Sequence, residues 1–244
     1  MLFRGAKIMK KLLEFKNVSI SFDGGVLYKN INFTIYEGDR YMLLGKNGSG
    51  KSLLLELIAL GYTNDLKNRY KGLKVTGELL DSNNNNLLDP KNNRNFAYVT
   101  QNENFYNNST IYSEAESACN GIGIDLDDKK LDFYLKKFDL SHKKHTKLKN
   151  NVSYGEGKIV HLITRLLKLD VCDVLLLDEP LNHLSFQNSK KFNDVINDLI
   201  KEKDKLTIIM VSHCKAINFV NKTITYDGKE TFDIKKYQNY DCFE

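Results

Sequence analysis

The run Gly45-Lys46-Asn47-Gly48-Ser49-Gly50-Lys51-Ser52 holds three glycines and ends in a Lys-Ser pair, in the pattern G-x-x-x-x-G-K-S/T. The glycines let the backbone fold so that successive N–H groups converge on one point, which suits the β- and γ-phosphates of a nucleotide. A helix starting there adds its positive N-terminal end. Lys51 is expected to place a point charge on the same oxygens, and the Ser52 hydroxyl to ligate Mg²⁺. These eight residues therefore predict a site for ATP with Mg²⁺. A second acidic pair, Asp178-Glu179, follows the apolar run Val174-Leu175-Leu176-Leu177. An Asp at the end of a core strand can orient the metal, and a neighbouring Glu can act as general base toward an attacking water.

The flanking segments have the patterns needed to hold these groups. Arg40-Tyr41-Met42-Leu43-Leu44 is a short apolar run ending at the glycine-rich loop, and Ser52 to Leu60 has helix-compatible apolar spacing. Val174 to Leu177 and Thr207 to Val211 are continuous apolar runs, as expected of parallel strands buried on both faces. Leu12 to Phe15, Val18 to Phe22 and Ile31 to Ile35 read as strands, with a turn at Asp23-Gly24-Gly25. Phe96 to Val99 reads as another strand, and Thr223 to Tyr226 begins a hairpin turning at Asp227-Gly228. Asn83 to Asn86 is a polar loop. From about Asn104 to Leu148 the strand-like runs stop, and the charged, helix-compatible sequence, Asp127 to Phe138 above all, predicts a helical subdomain.

The bulk composition fits this picture. The chain has 244 residues, of which 41% are hydrophobic and 27% charged, so a sizeable core can form. The net charge of +5 comes from lysines spread along the chain, which makes direct nucleic-acid binding unexpected. No apolar stretch approaches the roughly 18 to 20 residues that cross a bilayer. The N-terminus has no apolar region of the signal-peptide kind. Cys119, Cys172, Cys214 and Cys242 show no C-x-x-C spacing and read as reduced thiols of a cytosolic protein.

The phosphate loop, Gln101, Val152-Ser153-Tyr154-Gly155-Glu156, Val174 to Glu179, Pro180 and His213 occur in an order and spacing that resemble those of ABC-type ATPases. The resemblance runs from about Leu12 to Phe232. It implies an α/β fold: a P-loop NTPase core with a mainly parallel sheet, an N-terminal antiparallel β subdomain and an inserted α-helical subdomain. The expected division is one ATPase domain over 10–244. In it, 10–103 and 151–244 form the core with the β subdomain, 104–150 the helical subdomain, and 1–9 is an N-terminal extension.

By the same resemblance, Phe22 matches the aromatic residue that stacks on adenine, with Tyr28 as the alternative. Gln101 matches the glutamine that touches Mg²⁺ and the attacking water and senses the coupled partner. Ser153, Gly155 and Glu156 match the signature L-S-G-G-Q, which closes on the γ-phosphate held by the opposite subunit. Asp178 matches the metal-orienting acid, Glu179 the catalytic base and His213 the switch histidine at the γ-phosphate. His142, His145, His161 and His183 have no comparable context. Two segments depart from the pattern, at three positions. Tyr154 stands where the family has Gly and Glu156 where it has Gln, and Ser185 replaces the Asp that bridges the subunits.

The implied protein is an ATP-hydrolysing subunit at the cytoplasmic face of a membrane. It would work as a homodimer or heterodimer with composite ATP sites and power separate membrane-spanning subunits. Family analogy suggests export of a peptide or antimicrobial, or immunity. The alternative is a soluble relative acting on ribosomes or nucleic acid, to which Glu156 and the run Glu179-Pro180-Leu181-Asn182-His183-Leu184 bear some likeness.

Overall fold

The structure is a computed structural model that describes residues 9–92, 96–101, 105, 108–212, 217–226 and 232–236. Strands β1 (Lys11–Phe22) and β2 (Gly25–Tyr36) form an antiparallel hairpin through the Asp23-Gly24 turn. The sequence suggested two strands within β1; the structure has one, with its pairing shifted between Phe15 and Val18. The irregularity sits at Asn17, whose φ is 50°. Asn tolerates this left-handed backbone better than most residues, and its N–H donates to Asn32 Oδ1 at 2.9 Å. A β-bulge of this kind bends a strand without ending it.

β3 (Arg40–Leu44) leads through the glycine-rich loop into α1 (Lys51–Leu60). A short helix, α2 (Asn64–Arg69), follows, and then β4 (Lys74–Asp81), neither of which was apparent in the sequence. β4 pairs with the free side of β1, giving a three-stranded antiparallel sheet in the order β2-β1-β4. A Cβ at Gly77 would lie 2.3 Å from the Asn17 carbonyl oxygen, and its φ is 88°, so the bulge in β1 demands a glycine opposite it.

The larger sheet is built from β3, β5 (Ala97–Val99), β6 (Val174–Asp178), β7 (Thr207–Val211), β8 (Lys222–Tyr226) and β9 (Phe232–Lys236), in the order β5-β6-β7-β3-β8-β9. All its pairings are parallel except β8 with β9. The hairpin expected from Thr223 is thus present, while its turn at Asp227-Gly228 lies outside the described residues. β6 and β7 are buried at every position. Leu175, Leu177, Ile208 and Met210 join the apolar core on one side. Val174, Leu176, Ile209 and Val211 join the core on the other, with α1 and the antiparallel sheet. Side chains that alternate between two buried faces explain the unbroken apolar runs. Fully burying each such side chain contributes about 1.5–3 kcal/mol.

Between β5 and β6 lie α3 (Ile111–Asn120), α4 (Asp128–Lys137) and α5 (Tyr154–Leu166). Asp127 caps α4 by accepting from the Lys129 and Lys130 N–H groups, and Leu131, Tyr134 and Leu135 bury its apolar stripe. α6 (Phe186–Glu202) connects β6 to β7 and is capped by Ser185, whose hydroxyl accepts from the Asn188 N–H. Ser185 therefore serves as a helix cap within the chain, at the place where the family pattern has a bridging Asp.

Candidate nucleotide site

The carboxyl ends of β3, β5, β6 and β7 lie side by side, which is where open α/β sheets place their ligands. Register pairs Leu43 with Val211, and Val211 with Asp178. The loop from Gly45 to Gly50 springs from the end of β3, and α1 begins at Lys51 without a side-chain cap. Its first N–H groups therefore have no intrahelical or side-chain partner, and the macrodipole makes that end positive.

Gly50 in this loop is sterically specified. A Cβ at Gly50 would fall 2.5 Å from the Leu27 side chain, and its φ of 86° is left-handed. The Lys51 ammonium folds back over the loop and donates to the carbonyls of Gly45 and Lys46, both at 2.9 Å. Burial lowers its proton affinity, opposed by the carboxylates of Glu179 and Asp178.

The Ser52 hydroxyl donates to Asp178 Oδ1 at 3.0 Å, so the two expected metal oxygens are already adjacent. Asp178 is 2% exposed. Its carboxyl is pushed up to about 6, chiefly by burial; the Ser52 bond lowers it, and the neighbouring charges of Glu179 and Glu56 raise it. A hydroxyl and a buried carboxylate are hard oxygen donors of the sort Mg²⁺ takes, so the residues fit that ion. Glu179 is buried beside them and takes a left-handed backbone, φ 49°. Its N–H donates to the Val211 carbonyl at 2.9 Å.

Lys51, Ser52 and Glu179 line an open cleft of about 550 Å³, and Asp178 joins it through its bond to Ser52. Asn47 through Ser52 line it, together with Gln101, Glu179, Phe22 and Leu27. Phe22, at the end of β1, is partly exposed in the cleft, where a flat ring can meet a base. Tyr28, the alternative, is 1% exposed and packs edge-on against Tyr226 with ring centroids 4.8 Å apart. Of the two rings, Phe22 is the one that lines the cleft. Tyr70 and Asn182 also line the cleft, which the sequence gave no sign of. Tyr70 follows α2, and α2 is pinned to α1 by the Arg69–Glu56 ion pair at 2.6 Å. That pair joins residues 13 positions apart and has no local signature.

Ser153, Gly155 and Glu156 do not line this cleft. They form the N-terminal end of α5, where Ser153 and Glu156 make a reciprocal capping box. Ser153 Oγ accepts from the Glu156 N–H at 3.2 Å, and Glu156 Oε2 accepts from the Ser153 N–H at 2.7 Å. Glu156 also pairs with Lys143 at 2.7 Å, and the cap bond and this pair hold its carboxyl below the usual range against the opposing pull of burial. Tyr154 is more than half exposed and stands edge-on to His183, 5.0 Å between centroids. His213 lies outside the described residues. His161 has a structural place: its Nε2 accepts from the Thr100 N–H at 3.2 Å, just before Gln101.

An α/β sheet with this loop, this acid pair and this metal-suited oxygen pair defines a P-loop ATPase. A family profile described as "ABC transporter" matches residues 28–182. The chain belongs to that family. The zinc uptake system ATP-binding protein ZurA of Listeria monocytogenes is 28% identical over 95% of this chain and 90% of its own length. The ergothioneine transport ATP-binding protein EgtV of Helicobacter pylori is 30% identical over 84% of this chain and 91% of its own. A solved structure of the ATP-binding subunit of an ABC transporter superposes with a TM-score of 0.74 at 19% identity, covering 92% of this chain and 90% of that one. The chain is accordingly an ATP-binding subunit of an ABC transporter, an ATPase that uses ATP with Mg²⁺. No helix among the described residues is long and apolar enough to cross a membrane.

Proposed function

We propose that this subunit powers uptake of a small solute, with a zinc-like metal ion as the first cargo to test. The observation that carries the catalytic part is the cleft lined by Lys51, Ser52 and Glu179, with Asp178 hydrogen-bonded to Ser52. The likeness to ZurA along nearly the whole chain supports the uptake direction. The relatives named above act in zinc uptake and ergothioneine transport, so neither supports the expectation of peptide export or immunity. Nothing in the fold or the relatives favours the ribosome-associated alternative.

In this reading Lys51 and the loop N–H groups bind the β- and γ-phosphates, and Phe22 stacks on adenine. Ser52 and Asp178 would hold Mg²⁺, which supplies neutralisation of phosphate charge. Glu179 takes a proton from the attacking water, and Gln101 and His213 orient that water and the γ-phosphate. Ser153, Gly155 and Glu156 serve the ATP of a second subunit. The shared dimer would sit on the cytoplasmic face, docked on a separate membrane protein. In a strain lacking this gene, zinc accumulation and growth under chelation should fall and be restored by the wild type, not by Glu179→Gln. Normal zinc uptake in the deletion strain would remove the metal cargo. An intact membrane partner recovered with the tagged chain supports docking; a tagged chain that leaves detergent extracts alone argues against it.

A further inference from the structure

Lys158 lies on the second turn of α5 and is 5% exposed. Its ammonium donates to the Gln101 carbonyl at 3.1 Å and reaches the Glu179 carbonyl at 3.5 Å. Gln101 follows β5 and Glu179 follows β6, so one buried cation spans two loops that wall the nucleotide cleft. The same ammonium stands 5.7 Å from the centre of the Tyr154 ring, in the first turn of α5. A second contact closes the arrangement: a Cβ at Gly155 would lie 3.2 Å from the His183 carbonyl oxygen, in the loop after β6.

The left-handed backbone of Glu179 is strained for a residue with a Cβ and persists only where neighbours hold it. Its N–H is fixed by Val211, and its carbonyl accepts from the Asn182 N–H at 3.2 Å. Lys158 adds a charged donor to that same carbonyl. Burying an ammonium costs several kcal/mol, and an apolar side chain of like volume would pack there without that cost. The charge is therefore better explained by what it holds than by packing.

We propose that Lys158 is a positioning residue that ties the Ser153–Glu156 end of α5 to Gln101 and Glu179. The proposal rests on the composite-site reading above. In that reading the end of α5 meets the second subunit's ATP, while Gln101 and Glu179 act on this chain's own. The tie makes the two move together, so each site senses the state of the other through one helix.

The test compares Lys158→Met, which keeps the volume and loses the donors, with Lys158→Gln, whose shorter side chain reaches one carbonyl only. Lys158→Met should lower kcat about tenfold with ATP affinity kept within about twofold, and should abolish cooperativity in ATP. Amide exchange at Asn182 should quicken at least about threefold while global stability holds. Lys158→Gln should recover about a third of wild-type turnover. Wild-type turnover and exchange in Lys158→Met would overturn the proposal. So would equal losses in the Met and Gln variants, or affinity lost in step with turnover. If Lys158→Met does not fold, exchange at Asn182 in Lys158→Gln decides: faster than wild type supports the tie, and equal to it overturns it. If the wild type itself shows no turnover, the ATPase reading fails, and exchange at Asn182 still decides the tie.

Discussion

Lys51 and Asp178 divide the electrostatic work of the cleft between them. Lys51 is held over its own loop by two carbonyls, so its charge is placed before any phosphate arrives. Lys51→Ala should weaken ATP binding about tenfold to a hundredfold, since a hydrogen bond to a charged group contributes about 1.5–3 kcal/mol. Titration with a fluorescent ATP analogue measures this, and undiminished binding would remove Lys51 from the phosphate site. Glu179→Gln should bind ATP normally yet lose about a hundredfold or more in kcat, the usual contribution of a general base. Phosphate release at saturating ATP reports it. His161 provides a pH test away from the chemistry. Burial, then the nearby charges of Arg165, Lys158 and Lys168, lower its pKa to about 3. Below pH 6.5 the unfolded chain takes up a proton that the folded chain refuses, so stability falls as pH falls. The loss is about 1.4 kcal/mol per pH unit between about 6.5 and 3. Urea unfolding at pH 7 and 5.5 should show wild type losing more stability than His161→Gln; equal losses would contradict the buried neutral imidazole.

The elements that were legible in the sequence are those with local causes. The glycine-rich loop, the doubly buried strands β6 and β7, and α1 all announce themselves through residue type and spacing. Asp178 and Glu179 were legible because a core strand ends at them. β1 was legible as strand but not as one strand, because its bulge depends on Asn17, Asn32 and the distant Gly77 meeting in space. α2 was not legible, since six residues give too little periodicity and a tertiary ion pair fixes them. Tyr70 stayed hidden with it, and so did Lys158, whose carbonyl partners are 57 and 21 residues away. The end of α5 is a mixed case. Ser153 and Glu156 were found through a family pattern, yet S-x-x-E is also a capping box, and the structure uses it so. Ser153→Ala should therefore cost about 1 kcal/mol of stability in the isolated chain. For a protein of this size that is a fall in Tm of about 2–4 °C, readable by calorimetry. An unchanged Tm would mean that the cap contributes little and that Ser153 is kept for the second subunit alone.

For the molecule as a whole, the notable fact is what one chain leaves apart. The cleft is lined by the phosphate loop, Ser52 and Glu179, while Ser153, Gly155 and Glu156 at the start of α5 are not among its lining residues. On the composite-site proposal, such a subunit binds ATP by itself and needs a second copy or a relative to complete the γ-phosphate site. Its departures from the family pattern are Tyr154 and Glu156, at the start of α5, and Ser185, at the start of α6. Tyr154 is exposed, and Ser185 is occupied as the cap of α6. The most direct measurement is Mg²⁺-dependent phosphate release by the purified chain as its concentration is raised. Turnover per chain that climbs with concentration, and that Glu179→Gln abolishes, is the predicted result. Turnover per chain that stays flat over the whole range, or that survives Glu179→Gln, would contradict an active site shared between two subunits.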